Sequence, residues 1–348
     1  MHYNLLINCK EMLKLSICIP TYNFGSFIGE TLDSITPNLC EGVEIVILDG
    51  GSTDDTAHVV KQRQQNFPQI FYYQQGYRGG IDKDIAKVVS LSHGCYCWLF
   101  SADDIMKPGA VAKVLNLMQS TSDVYLCEQT LCAFDMKPIK EHPIFNKITL
   151  PEIFNLGNIE QRKRYFKHAR TSEAFFSYLA GPIFKREVWE KANGIPDSFN
   201  NTCWGLAGRL LSLIPDGIVV HYIGESLIQK RAGIDSFMDQ GIVNRLRITI
   251  EGFAFIAETI FGKNSEETFH IRRVTRNEDA FRFRQLISVK IMIANSSQKE
   301  NISDLNNVVY KHYSDAGLIN KCKAVLFIYI PISFLKIMKA IKDNLKRR

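Results

Sequence analysis

Two adjacent carboxylates, Asp103 and Asp104, follow the apolar run YCWLF at 96–100. Paired acids at a strand end suit a hard divalent cation such as Mg²⁺ or Mn²⁺, which takes oxygen ligands. The same acids precede MKPGAVAKVL, where either would serve as a helix cap, and the two roles are compatible. Two more acidic turns occur in comparable places. Asp49 ends the run VEIVIL at 43–48, and Asp82 and Asp84 lie in RGGIDKDIAK. Asp49 also reads as a turn aspartate bonding its own backbone. Asp82 and Asp84 read equally as charge on a helix surface. Arg78 and Lys87 lie close by in sequence, available to neutralise phosphate or to pair with these acids.

Such acids need elements to position them. The runs at 15–20 (LSICIP), 43–48, 70–73 (IFYY) and 96–100 read as short buried strands. Helical patterns alternate with them. Phe27, Ile28, Leu32 and Ile35 share one face, with Ser26 as cap. Thr53 or Asp54 would cap a helix carrying Val59 and Val60, and a third helix covers 83–92, ended by Gly94. Alternation of this kind implies a parallel, doubly wound sheet. Ligands of such sheets bind beyond the carboxyl ends of the strands, which is where the acidic turns fall. Past residue 120 the pattern thins to a strand at 124–134, a strand or buried segment at 175–184, a helix at 186–193 and largely helical sequence over 240–300. A boundary is placed near 235–240.

The chain has 348 residues, 46% hydrophobic and 22% charged, with a net charge of +6. This excludes extensive disorder and a dedicated nucleic-acid binder. Nine scattered cysteines read as small buried hydrophobes in a reducing compartment. No signal peptide is apparent, and no apolar run is long enough to span a bilayer. The segment 162–170 (RKRYFKHAR) is basic, suited to phosphate or anionic lipid, or to a solvated helix face. The tail after Leu335 carries six basic residues against one acid and follows AVLFIYIPISFL. Residues 322–348 therefore read as an interfacial membrane anchor, or as an amphipathic helix packed on the domain or a partner.

Residues 15–23 (LSICIPTYN), 43–56 (VEIVILDGGSTDDT) and 96–104 (YCWLFSADD), in that order and spacing, resemble the family 2 glycosyltransferases of the GT-A fold. The resemblance is firm over 14–115 and fainter from 170 to 235. It implies an α/β, Rossmann-like fold: a doubly wound mixed, mostly parallel sheet with a helical C-terminal region. The GT-A domain would cover 1–235, with a nucleotide-sugar half at 14–115 and an acceptor half at 116–235, and the helical region 236–348. It further implies transfer of a sugar from a nucleoside-diphosphate sugar, with Mg²⁺ or Mn²⁺ stabilising the leaving diphosphate. Asp103 and Asp104 are then the metal candidates, in the place of a D-x-D-like motif whose first acidic position here is Ser101. Pro20, Thr21 and Tyr22 would wall the nucleotide pocket. Asp49 would lie near base and ribose, with Gly50 where a second acid is common. Arg78, Asp82, Asp84 and Lys87 would pack a loop on the nucleotide, Ala102 and Asp103 would complete the donor side, and Lys230 and Arg231 would clamp the diphosphate as a late-arriving pair.

An inverting transferase needs a carboxylate to take the acceptor proton. The resemblance places it just before a helix matching 201–210 (NTCWGLAGRL), where Cys203 stands instead. Asp197 and then Glu173 are the nearest acids, with His221 a further option. The stretches 128–139 and 175–189 look like bacterial transferases that add deoxyhexoses to O-antigen repeat units, such as abequosyltransferases. The acceptor implied is a saccharide, linked to polyprenyl diphosphate, met at the inner face of the cytoplasmic membrane. Two rivals stand. A sugar nucleotidyltransferase would carry a glycine-rich basic loop after the first strand, and TYNFGS is not one. A non-catalytic sugar-nucleotide-binding or scaffold protein fits the acid missing near Cys203. Homo-oligomerisation stays open.

Overall fold

The computed structural model describes residues 13–120, 122–146, 152–192, 199, 202–235, 237–296 and 301–337. The chain forms two compact units, residues 1–234 and 235–348.

In the first unit, strands and helices alternate as the apolar periodicity dictates: β1 (Leu15–Thr21), α1 (Ile28–Ile35), β2 (Val43–Asp49), α2 (Thr56–Gln64), β3 (Ile70–Gln74), α3 (Ile81–Ser90) and β4 (Tyr96–Leu99). β1 and β2 are buried at every position, the condition of strands covered on both faces. β1 pairs in parallel with β2 and β4, and β2 with β3. The carboxyl ends of four strands thus share one edge. α1 buries Ile28, Leu32 and Ile35 against this sheet, each contributing about 1.5–3 kcal/mol.

The remainder of the unit completes a mixed, mostly parallel sheet. It comprises β5 (Ile105–Met106), α4 (Ala110–Leu117), β6 (Val124–Cys132), β7 (Pro138–His142), β8 (Glu152–Asn155), α5 (Ile159–His168), β9 (Pro182–Lys185), α6 (Arg186–Lys191), α7 (Gly205–Ser212) and β10 (Val219–Arg231). The strand order is β3-β2-β1-β4-β9-β6-β10-β5, with β7 beside β6 and β8 beside β10. β9 runs antiparallel between β4 and β6. β10 runs parallel to β6, and register shifts bracket Ser226.

Several local expectations change. α1 starts at Phe27 without help from Ser26. Asp55, rather than Thr53 or Asp54, stands at the N-cap of α2, without a side-chain cap bond, although Asp54 accepts the Thr56 amide at 3.0 Å. Gly94 does not end α3. It passes beside Ser16, where a Cβ would stand 2.6 Å from the Ser16 nitrogen. α4 begins after Gly109, so neither Asp103 nor Asp104 caps it. Only 182–185 of the 175–184 segment, with Lys185 added, is strand, and 172–175 forms a 3₁₀ turn. The strand over 219–231 was not marked by periodicity. Eight described cysteines are free; Cys18, Cys97, Cys127 and Cys132 are buried, while Cys40, Cys95 and Cys322 are exposed.

The second unit is helical: α8 (Ile242–Phe261), α9 (Glu266–Asn277), α10 (Phe283–Asn295), α11 (Ile302–Tyr313) and α12 (Gly317–Tyr329). Its core gathers Val243, Leu246, Ile250, Leu286, Leu305, Val309 and Phe327. No helix among the described residues is long and apolar enough to cross a membrane. His312 of α11 is 5% exposed, and its Nε2 has no hydrogen-bond partner among the described residues. Burial, reinforced by Arg276, pushes it down to about 3. Between that value and the ordinary 6.5 the unfolded chain binds a proton that the fold refuses. Stability therefore falls as pH drops through this window, by about 1.4 kcal/mol per unit. Thermal melts of the helical unit's signal should shift downward from pH 7 to pH 5, and His312→Gln should flatten that slope. An unchanged slope in the variant would place the pH dependence elsewhere.

Candidate active site

The carboxyl ends of β1 and β2 meet side by side, since Thr21 pairs with Asp49. Gly50 N donates to Thr21 O at 2.8 Å. Asp49 is fully buried. Its Oδ1 accepts from Ser52 N at 2.7 Å and its Oδ2 from the Tyr72 hydroxyl at 2.5 Å. The aspartate thus makes the turn bond that local chemistry favours, and a cross-strand bond besides. The Thr21 hydroxyl is buried and has no hydrogen-bond partner among the described residues. Pro20 lies within β1, paired with Leu48.

A second wall closes from the loop before α3. The Arg78 guanidinium lies 4.6 Å over the Tyr22 ring, a cation–π contact. Gln75 Nε2 donates to Asp84 Oδ1 at 2.8 Å. Burial raises the Asp84 carboxyl, partly offset by Gln75 and Arg78. A Cβ on Gly50 would stand 3.1 Å from Asp84 Oδ2. The carboxylate that residue 50 lacks therefore occupies that space from α3. Lys87 is exposed on the last turn of α3 and joins no contact with this wall among the described residues.

Asp82 points elsewhere. Its Oδ2 accepts from Cys203 N at 2.9 Å and its Oδ1 from Gly205 N at 2.8 Å. These amides open α7, whose first donors have no helical partner. A carboxylate does stand before α7, where 201–210 lacks one, but it comes from α3. Gly205 is required there, since a Cβ would come within 2.9 Å of Asp82 Oδ1. Burial raises Asp82, and the two amides and Arg209 pull it back.

The acidic pair follows β4, with Ala102 buried before it. Asp104 is 2% exposed. Its Oδ2 accepts from the Tyr178 hydroxyl at 2.6 Å and its Oδ1 from Arg231 N at 2.9 Å. Arg231 holds the same turn through Nε to Asp103 O at 3.0 Å, and binds Phe134 O at 2.7 Å and Glu30 Oε2 at 2.5 Å. Arg231 is thus built into the wall and not free to swing, a role that Glu30, unmarked by any motif, completes. Lys230 lies 4.5 Å over the Tyr178 ring, and its charge reaches Asp103, Asp104 and Glu173. Asp103 differs from its neighbour, because its carboxylate accepts no side-chain hydrogen bond among the described residues. Burial and the Asp104 charge push it up to about 7, against the pull of Arg231 and Lys230.

This arrangement bears on metal binding. Among the described residues no cluster of three metal-ligating side chains exists. Asp104 has both oxygens engaged, while Asp103 is a partly desolvated carboxylate in want of a cation. Such a set does not cage an ion alone. It fits one that arrives with substrate phosphates and takes one or two protein carboxylates.

Glu173 lies in the 3₁₀ turn before β9. Gln129 Nε2 donates to its Oε1 at 3.1 Å, and His142 Nε2 lies 3.2 Å away as an ion-pair contact, off the hydrogen-bond line. Burial works to raise this carboxyl, but His142 and Lys230 outweigh it and hold it well below the usual range. His221 is buried on β10 against the Tyr125 ring at 5.4 Å, and burial lowers it. Asp197 lies outside the described residues. The Asp82 cap is open to direct measurement: Asp82→Ala orphans two buried amides and should cost about 1–3 kcal/mol, read as a lowered Tm. Asp82→Asn should retain part of the loss, and a melt unchanged in both variants would remove the capping role.

Residues 16–188 match the family described as Glycosyl transferase family 2. The chain is similar to abequosyltransferase RfbV of Salmonella typhimurium, with 29% identity over 297 residues, covering 83% of this chain and 87% of the relative. It is also similar to the GalNAc(5)-diNAcBac-PP-undecaprenol beta-1,3-glucosyltransferase of Campylobacter jejuni, with 26% identity over 56% of this chain and 59% of the relative. In structure it resembles S. aureus TarS 1-349 in complex with UDP-GlcNAc, with a TM-score of 0.61 at 14% identity, covering 95% of this chain and 92% of that one. The acidic strand ends, the sheet that presents them and these likenesses agree, and the chain carries a family 2 glycosyltransferase domain of the GT-A fold.

Proposed function

We propose that this protein is an inverting, metal-dependent glycosyltransferase. It moves a hexosyl or deoxyhexosyl group from a nucleoside-diphosphate sugar to a lipid-linked saccharide in O-antigen or related surface-polysaccharide assembly. The observation that carries the reading is Asp103: a partly desolvated carboxylate in the turn after β4, with no side-chain hydrogen bond among the described residues, under the charge of Lys230 and with its carbonyl held by Arg231. The abequosyltransferase and undecaprenol-linked relatives support the polysaccharide setting and the lipid-linked acceptor.

In this reading residues 14–115 bind the donor. Thr21, Tyr22, Asp49, Gln75, Arg78 and Asp84 form the nucleotide wall, with the Arg78–Tyr22 pair as its outer face. Asp103 and Asp104 would hold Mg²⁺ or Mn²⁺, which supplies charge stabilisation for the departing diphosphate. Lys230 adds positive charge on the same side. Residues 116–235 receive the acceptor. A carboxylate takes the acceptor hydroxyl proton as that oxygen bonds to the anomeric carbon, and the bond to the diphosphate breaks on the opposite face. Among the described residues Glu173 fills this role, held ionised by His142 and Lys230. Asp197 is the alternative. The helical unit and the 322–348 tail keep the enzyme at the inner face of the cytoplasmic membrane.

Release of nucleoside diphosphate is the direct assay. The full chain should release it from one nucleotide sugar in the presence of Mn²⁺ and a lipid-extract acceptor, and Asp103→Ala should abolish metal-dependent turnover while the fold survives. Full activity in that variant would sink the metal assignment, and no release from any donor would favour the non-catalytic rival.

The base is separable from the donor site. Glu173→Gln should lower kcat by about 10²–10⁴-fold with donor KM little changed. If Asp197→Asn shows that loss and Glu173→Gln does not, the proton goes to Asp197.

A further inference from the structure

The helical unit holds a cavity lined by none of the candidate active-site residues. The end of α9 and the starts of α10 and α12 enclose a cavity of about 630 Å³. Its walls present Arg273, Arg276, Arg282, Arg284 and Lys323 against one acid, Asp315. That acid is already shared, pairing with Arg272 and, at 3.3 Å, with Arg276. Arg282 is paired at the exposed rim with Asp279 at 2.9 Å. Arg284 has no acidic partner among the described residues. Neither has Lys323, which lies 3.4 Å from Asn320 Oδ1 and 5.8 Å over the Tyr313 ring. The walls carry surplus positive charge, and Arg276 registers it: burial and the neighbouring Arg272 push its guanidinium down to about 10. Burial lowers Arg273 as well.

Another part of the cavity's rim is apolar. Phe269 of α9 is 55% exposed. Leu318 and Ile319, set between the lining residues Gly317 and Asn320, are 78% and 75% exposed. Exposed apolar side chains continue along and past α12 as Val325, Leu326, Tyr329, Phe334 and Ile337. Their placement is fixed, because α12 is pinned from its other side. Ala324 and Phe327 are buried, and Lys290 Nζ, itself buried, donates to Phe327 O.

A concave cationic floor asks for an anion that brings several acceptor oxygens, which phosphate does. An uncovered apolar rim beside it asks for hydrocarbon. One ligand chemistry meets both. We propose that this cavity binds the phosphate-bearing head group of an anionic membrane lipid, with the exposed face of α12 lying in the interface beside it. The proposal rests on the membrane-surface reading above, and supplies it with a folded site distinct from the basic C-terminal tail.

Full-length protein is floated with phosphatidylcholine vesicles, with and without phosphatidylglycerol. The wild type should be recovered at least about tenfold better with phosphatidylglycerol. The double variant Arg284→Glu, Lys323→Glu, which changes only wall residues without acidic partners, should lose that gain. Leu318→Ser with Ile319→Ser should lower recovery while leaving calorimetric binding of inorganic pyrophosphate unchanged. Circular dichroism melts confirm that each variant is folded. If charge reversal leaves recovery intact, the membrane reading stands through another surface and the cavity proposal is overturned. If the wild type floats with neither vesicle, both fall. If pyrophosphate binds and charge reversal abolishes it while flotation is unaffected, the cavity takes a free phosphate compound and the lipid assignment is wrong.

Discussion

The buried carboxylate of Asp104 governs the geometry of the site. An ionised group at this depth costs several kcal/mol unless its lone pairs are satisfied and its charge balanced. Tyr178 and the Arg231 amide satisfy them, and the Arg231 side chain closes the circuit through the Asp103 carbonyl, Phe134 and Glu30. This network joins the end of β4, the end of β10, the turn after β6 and the start of α1. With its neighbour tied inward, Asp103 keeps a carboxylate that accepts no side-chain hydrogen bond among the described residues. The two acids are adjacent in sequence but differ in surroundings, and the difference lies in which donors reach each one.

β1, β2 and β4 were legible because burial on both faces produces continuous apolar runs, and turns must follow them; β3, buried only at Ile70, was legible from its run of aromatic residues. The acids at 49, 103 and 104 were legible as acids after strands for the same reason, whereas Asp84, read as part of a loop, stands in the first turn of α3. Other features were hidden by distance along the chain. Asp82 looks like helix-surface charge until Cys203 and Gly205 arrive beside it. Glu30 carries no motif, and only the fold brings it to Arg231. Glu173 gains its character from His142 and Gln129, which come from other strands. β10 escaped notice because the register shifts around Ser226 break the two-residue period that would announce a strand.

Basic residues in this chain divide by what their donors already hold. Arg231, read from sequence as a late-arriving clamp, has all three side-chain nitrogens bonded to the wall. Lys230, one residue earlier, keeps its ammonium over an aromatic ring and presents its charge to three carboxylates. In the helical unit the balance is reversed: arginines crowd together with too few acids, and burial makes that excess costly. Counting charges along the sequence cannot separate these cases.

Gly50 and Asp84 have a consequence for how such chains are compared. The space beside Asp49 holds a carboxylate, yet that carboxylate belongs to a helix that starts thirty-one positions after Gly50 in the chain. A column-by-column comparison scores position 50 as a lost acid and the chain as impaired. The two positions are neighbours in space, since a Cβ at residue 50 would press on Asp84 Oδ2. Inventories of functional groups in this fold are better drawn by volume element than by alignment column, and a glycine at such a place records an occupant arriving from another element.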